Sequence, residues 1–278
     1  MLSANTTAQK LTGDSQPQHA APGLMARIGD RPVLWRVLSL ALFCAVWEVG
    51  ARASGNFAFP SFSQTLFAFL EMIGDGSLFW AYGRTLEPLV IGVTFSLLVG
   101  IGTGVAMGLR RDVEWLTLPV FIVMQAAPMA ALIPLVTFVY GIGLASKVVA
   151  VVMLSLPVIA MNSYKAVRNT SPSLTAMCHS FQGSRWQQIS KVILPEASPM
   201  IFAGVRLGVA EGFSGVVLAE LLITPTGIGD LITYHRSIAN FDSMYAVIVS
   251  IVVFAVVTVT LLQLLETALF RPDKRRSK

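Results

Sequence analysis

Charge is what this 278-residue chain lacks most: Asp, Glu, Lys and Arg together make up 13% of it, about half the ~25% usual in soluble proteins. A surface so poor in charge cannot be kept in water. With 54% hydrophobic residues and a mean hydropathy of +0.69, the chain also holds more apolar side chains than a core could hide. Lipid must take the place of the missing solvent, and a soluble enzyme is excluded. Cysteine and histidine are scarce too. Cys44 and Cys178 lie far apart with no Cys-x-x-Cys around either, and His19, His179 and His235 are scattered, so neither a disulfide framework nor a metal site is expected. Nothing matches Gly-x-x-x-x-Gly-Lys-Ser/Thr, so the chain should hold no nucleotide in a P-loop and no cofactor of its own.

What is present is a set of long charge-free runs. Crossing about 30 Å of hydrocarbon takes roughly 20 apolar residues. Pro88 to Leu109 and Ser243 to Leu265 each give one span. Trp115 to Tyr164, interrupted by Lys147, gives two, near 117–139 and 147–163, turning at Tyr140-Gly141-Ile142-Gly143. Two weaker spans lie near 33–51 and 199–222, the latter holding Arg206, Glu211 and Glu220. The expectation is an all-α integral membrane protein of six helices over residues 32–270. A Ser/Thr/Gln/Ala/Pro-rich tail, 1–31, precedes it and a basic tail, 271–278, follows; the first span is not a cleavable signal peptide.

The net charge of +5 finds its meaning in position. With the N-terminus in the cytoplasm, Lys10, Arg27, Arg31, Arg36, Arg110, Arg111, Lys165, Arg168, Arg185, Lys191, Arg271, Lys274, Arg275, Arg276 and Lys278 fall inside, fifteen of the twenty basic residues. Arg52, Arg84, Lys147 and Arg236 fall outside, and Arg206 lies in or at the edge of the fifth span. The excess of inside cations places both termini in the cytoplasm and explains the basic balance without nucleic acid.

Within the spans, Gly100, Gly104 and Gly108 put a small-residue stripe on one helix face, suited either to tight packing within the chain or to a second copy. Prolines at 119, 128, 134 and 157 kink the third and fourth spans; Pro128 and Pro134 are candidates for the translocation path, as are Glu211 and Glu220, which lie about 180° apart on their helix. Pro60-Ser61-Phe62-Ser63-Gln64 opens a helix with a capping box, its Leu66, Phe69, Leu70 and Ile73 on one face at the outer interface, with Phe79, Trp80 and Tyr82 in the aromatic belt. The segment Lys165 to Pro195 is an ordered cytoplasmic module. Ser171-Pro172 starts one helix, Gln182-Gly183 breaks it, and Ser184-Arg185-Trp186-Gln187 is a second capping box, after which Trp186, Ile189, Val192 and Ile193 share an apolar face.

These segments resemble the membrane subunits of bacterial binding-protein-dependent ABC importers. Those carry a cytoplasmic Glu-Ala-Ala, three residues, Gly, nine residues, Ile, one residue, Leu-Pro pattern. Anchored on Leu194-Pro195, it falls on Ala176-Met177-Cys178, Gln182 and Val192; the Gly is displaced to Gly183 and the acidic residue is absent. Ala127-Pro128, Leu132-Ile133-Pro134-Leu135, Gly141-Ile142-Gly143, Ala145-Ser146-Lys147, Ala203-Gly204-Val205-Arg206-Leu207, Val217-Leu218-Ala219-Glu220 and Gly227-Ile228-Gly229 look like the nitrate, sulfonate and taurine branch. The resemblance implies the type I ABC importer permease fold, two permease copies around a central path, an ATPase subunit that binds the ATP, and an extracytoplasmic substrate-binding protein. It implies that Ala176, Phe181, Gln182, Gly183, Ser184, Arg185, Trp186, Leu194 and Pro195 couple to the ATPase in a bacterial inner membrane. It also implies a small organic or inorganic anion as substrate, with nitrogenous heterocycles a further class.

Two other classes compete. Gly212-Phe213-Ser214-Gly215 resembles the serine motif of rhomboid proteases, but the last span supplies no histidine and His235 lies in the preceding outer loop. A channel would use Arg206, Glu211 and Glu220, for which an ion pair or a charge reaching the interface is the plainer role.

Overall fold

The computed structural model describes residues 32–223 and 226–270; both expected tails lie outside the described residues. The elements are all helical: α1 Pro32–Ser54, α2 Phe62–Gly74, α3 Ser77–Leu109, α4 Arg111–Ala126, α5 Met129–Tyr140, α6 Leu144–Arg168, α7 Pro172–Ser180, α8 Arg185–Leu222, α9 Ile228–Ser237 and α10 Phe241–Phe270. Five of them (α1, α3, α6, α8 and α10) are long and apolar enough to cross a bilayer, and the pair α4 and α5 brings the number to as many as six.

Residues up to Gly50 form a unit of their own that ends within α1. Its Leu34, Val37, Leu38, Leu42, Phe43 and Val49 are all exposed, an apolar surface all round this stretch of helix.

In the second unit, from Ala51 on, α6 is the central helix, held between α3 and α8. Glycines explain why three helices can lie so close. Along α3, Gly92, Gly100, Gly104 and Gly108 meet Val151, Ile159, Ser163 and Val167 of α6 in constant register, so the two helices run parallel. Along α8, Gly204, Gly208, Gly212 and Gly215 meet Asn162, Ile159, Ser155 and Ala150, an antiparallel register. In hydrocarbon no hydrophobic drive separates lipid from protein, so close backbone approach and dispersion carry the association. The Gly100, Gly104 and Gly108 stripe therefore serves packing within one chain.

Three expectations need correction. The third span is not one helix: α4 and α5 meet at 104°, because Pro128 offers no N–H and holds Ala127 in an extended conformation (φ −69°, ψ 131°). At 1.5 Å per residue, neither piece reaches across about 30 Å alone. The helices of the second and fifth spans begin earlier than expected. α3 begins at Ser77 and α8 at Arg185, so the second helix of the Lys165 to Pro195 segment continues without a break into the apolar span. A π-helical turn at Ile189–Ile193 lies just before Pro195 and opens the ladder where the proline ring would otherwise crowd the preceding turn.

The Ser61 capping box forms as expected, with the Gln64 N–H donating to Ser61 Oγ at 3.4 Å and the Ser61 N–H to Gln64 Oε1 at 2.9 Å. The buried face of α2, however, is Thr65, Ala68 and Met72, while Leu66, Leu70 and Ile73 remain exposed. Phe79 and Trp80 are exposed, but Tyr82 turns inward, stacks on Phe254 at 4.8 Å between ring centres and hydrogen-bonds Ser250 at 3.1 Å.

Candidate functional site

At one end of the bundle apolar side chains lie open on a polar segment, and at the other a charged pair lies buried. At the α7 end of the bundle, α7 buries no residue at all. Leu174, Met177 and Phe181 follow one face and lie open, as does Trp186 beyond the turn; Phe181 and Trp186 are 81% and 75% exposed. The tip that carries them is capped on both sides of its turn. α7 ends in a Schellman turn: Gly183 N–H donates to Cys178 O at 3.0 Å and Gln182 N–H to His179 O at 2.9 Å. Gln182 takes the left-handed C′ position at φ 54°. Gly183 sits so close to Cys178 that a side chain there would run into its sulfur. The next helix starts with a complete capping box, Gln187 N–H to Ser184 Oγ at 3.3 Å and Ser184 N–H to Gln187 Oε1 at 2.8 Å.

The base of the tip is tethered. Tyr164 donates to Glu114 at 2.6 Å, Arg168 lies 3.9 Å from the same carboxylate, and the Ser171 N–H donates to Glu196 at 3.1 Å. The Ser171 hydroxyl pairs with Ser173 at 2.7 Å rather than capping the helix through its backbone.

At the α9 end the arrangement is reversed. Lys147 and Glu220 are 4% and 2% exposed and joined at 3.0 Å. Thr85 of α3 donates to the carboxylate at 2.9 Å and accepts from the Ile228 N–H, also at 2.9 Å; the Gly229 N–H donates to Glu220 at 3.0 Å. The Lys147 ammonium donates further to the Thr226 carbonyl at 2.8 Å and hydroxyl at 3.0 Å. One ion pair thus fastens the start of α9 to α3, α6 and α8, with each partner's capacity filled. Gly227, at φ 101°, lies against the carboxylate where no side chain would fit.

The residues expected to couple to an ATPase divide in two. Ala176, Phe181, Gln182, Ser184, Arg185 and Trp186 are exposed at the tip, with Gly183 packed behind them. Leu194 and Pro195 belong to α8, about 12 Å along its axis from Trp186 at 1.5 Å per residue. Ile193 packs inward against Ala166, Val167 and Ala197, whereas Trp186 does not share that contact. Of the translocation-path candidates, Pro128, Pro134 and Glu211 are exposed. Glu220 is not a path residue here: its carboxylate is enclosed by its own chain. Arg206, whose role the sequence left open, pairs with Glu266 of α10 at 2.9 Å.

In the sequence Lys147 stands out only as an outer cation, and Thr85, Thr226 and Gly229 carry no mark of a site. The usable signal was a single lysine in an otherwise apolar run, which in a membrane calls for a partner.

Nothing supports a serine protease. The Ser214 hydroxyl donates to Ala210 O of its own helix at 3.2 Å, Gly212 and Gly215 are packing residues against α6, and His235 lies on α9, where burial pushes its imidazole below the usual range. Among the described residues no group of His, Cys, Asp or Glu could hold a metal ion.

A family model described as "Binding-protein-dependent transport system inner membrane component" matches residues 92–271, well over half of the chain. Among similar proteins is the riboflavin transport system permease protein RibX of Chloroflexus aurantiacus, 29% identical over 242 residues, which cover 86% of this chain and 90% of that one. The putative aliphatic sulfonates transport permease protein SsuC of Bacillus subtilis is 25% identical, covering 92% and 95%. The taurine transport system permease protein TauC of Escherichia coli is 29% identical, covering 82% and 84%. In fold, the chain is similar to an amino acid ABC transporter with a TM-score of 0.61 at 16% identity, covering 72% of this chain and 98% of that one. The inward-facing MetNI methionine ABC transporter gives 0.56 at 19% identity, covering 70% and 94%.

Proposed function

The chain belongs to the family of binding-protein-dependent transport system inner membrane components, and we propose that its α7–α8 tip is the surface on which the importer's separate ATPase is seated. The protein is a multi-pass inner-membrane permease subunit of an ABC importer and not itself an enzyme. ATP is bound and hydrolysed on the partner, so this chain needs no cofactor. Two copies of it surround the translocation path, an extracytoplasmic binding protein delivers the substrate, and both termini lie in the cytoplasm, on the side of the tip. Lys165, Arg168, Arg185 and Lys191 around the tip support that orientation.

The observation that carries the docking role is the outward apolar face of a doubly capped tip. Four large apolar side chains at the end of a tethered helix pair are costly to leave in water, and their geometry suits a groove in a partner. Arg185, exposed beside Trp186, adds a charged rim. When the ATPase closes, the tip moves as a lever. Because α8 runs unbroken from Arg185 to Leu222, displacement at the tip reaches the membrane centre along one helix. The glycine-lined contacts with α6 carry it to α3. Replacing Arg185 and Trp186 by Ala is expected to abolish co-purification of the cognate ATPase while the chain remains in the membrane. Unchanged assembly and unchanged transport would remove the docking role.

The matched relatives are named for riboflavin, aliphatic sulfonates and taurine, so relatedness leaves a range of small substrates within which the small-anion expectation is one class.

A further inference from the structure

We infer that Glu211 presents a carboxylate to the translocation path at mid-membrane depth, and that the path therefore favours substrates with a cationic or N–H-rich nitrogen end over simple anions. The inference rests on the permease reading above and narrows its substrate class, zwitterions included.

The depth of Glu211 follows from its neighbour. Gly212 faces Ser155, and a Cβ on it would lie 3.4 Å from the Ser155 Cβ. Ser155 is near the midpoint of α6 (Leu144–Arg168) and donates to Ser96 of α3 at 2.6 Å. Glu211 is thus level with the middle of the bundle, while Lys147 and Glu220 lie toward one end and the Arg206–Glu266 pair about 7 Å toward the other, at 1.5 Å per residue.

Its surroundings differ from the exposed face of α10. Glu211 is exposed and, among the described residues, has no ion pair or hydrogen bond within the chain. On the same face of α8 lie Leu207, one turn before it, and Ser214, one turn after, both also exposed. The exposed face of α10 at similar depth is Val252, Val253, Val256, Val257 and Leu261 with no charged side chain, and the Thr260 hydroxyl there donates to Val256 O of its own helix at 2.7 Å. A surface meant for acyl chains looks like α10. A carboxylate on such a surface is costly, and the side chain is too short to reach the headgroups from mid-depth. The α8 face must instead meet water or the second copy, and in an importer of two permease copies the water within the membrane is that of the translocation path. With two such chains the charge appears twice, and a narrow, low-dielectric passage focuses it. Nitrate or a simple sulfonate would meet repulsion there, whereas an ammonium, guanidinium or protonated ring nitrogen would meet its counter-charge.

The test uses the complete transporter, permease and ATPase together, in proteoliposomes. Ser214→Cys, in a background with Cys44→Ser and Cys178→Ser, is modified with trimethylammonioethyl or sulfonatoethyl methanethiosulfonate, and the cation-to-anion rate ratio is normalised to that of a free thiol in solution. The expected ratio is about tenfold or more, is retained with Glu211→Asp and falls to about one with Glu211→Gln. No modification by either reagent, or a ratio that Glu211→Gln leaves unchanged, overturns the inference. A cognate binding protein whose ligand in calorimetry is nitrate or ethanesulfonate overturns the substrate class even if the path proves acidic. Because ATPase co-purification is scored on the same preparations, failure here with the ATPase still bound is distinct from failure of the permease reading.

Discussion

The two ends of the bundle break the ordinary rule of burial in opposite directions. At the α9 end, Lys147 and Glu220 are charged and buried, and every donor and acceptor around them is spoken for by Thr85, Thr226, Ile228 or Gly229. At the α7 end, Leu174, Met177, Phe181 and Trp186 are apolar and open. The first arrangement is complete within one chain, and the second is complete only with a partner. A buried ion pair is seldom a net source of stability, but removing one member is severe because the other is left without a counter-charge. An exposed apolar tip contributes nothing to the isolated fold, so removing it should be silent until the partner is added. Stability and assembly therefore depend on opposite ends of the molecule.

The largest expected effect is at the clamp. Glu220→Gln leaves the Lys147 ammonium buried without its charge partner and is expected to cost about 3–5 kcal/mol, read as a large drop in thermal unfolding temperature in detergent. Replacing both partners, Lys147→Met with Glu220→Leu, should recover much of that loss, since neither charge then remains to be desolvated. If the double variant is as unstable as the single one, the clamp matters for its backbone hydrogen bonds to α9 rather than for its charge.

Next in size is the tip. Phe181→Ala and Trp186→Ala should each weaken ATPase binding by about 2 kcal/mol, roughly 30-fold in titration of the purified ATPase, with the unfolding temperature unchanged. A fall in unfolding temperature without loss of binding would reverse the assignment of the two ends.

The smallest effects compare the same turn at both ends. Gln182 and Ala239 each hold the left-handed C′ position of a Schellman turn, at φ 54°, the second with Asn240 N–H donating to His235 O at 2.9 Å. A residue with a Cβ loses about 1 kcal/mol there relative to glycine, partly offset by glycine's greater freedom when unfolded. Gln182→Gly and Ala239→Gly should therefore each stabilise by about 0.5 kcal/mol, a small rise in unfolding temperature. A larger gain at 239 than at 182 would show that the tip tolerates its strained turn at less cost than the α9 end does.

The two ends were not equally legible. The tip could be read residue by residue, because helix caps are local: Ser184 and Gln187 lie three apart, and both halves of their box form. The displaced glycine at 183 also gained a physical meaning. The position at which the family pattern has glycine is the one that needs a positive φ, and here it is filled by Gln182. The clamp could not be read in this way. Thr85, Lys147 and Glu220 are separated by 62 and 73 residues, and only the constant register of α3 and α8 against α6 brings them together. Which proline breaks the third span, and how sharply, was hidden for a related reason. Hydropathy counts apolar residues, and Pro119, Pro128 and Pro134 all look alike to it, although only Pro128 has its preceding residue extended and the helix turned by 104°. The glycine stripe was visible, but its partner was not, since packing within the chain and packing against a copy ask for the same small residues.

The central claim is that the open apolar tip is a seat for the ATPase, and site-specific photo-crosslinking tests it most directly. With Phe181 replaced by benzoylphenylalanine in the full transporter, illumination is expected to join the permease to the ATPase in high yield, and much less when Trp186 is also replaced by Ala. Crosslinking to lipid or to the permease itself, with none to the ATPase, would contradict the account.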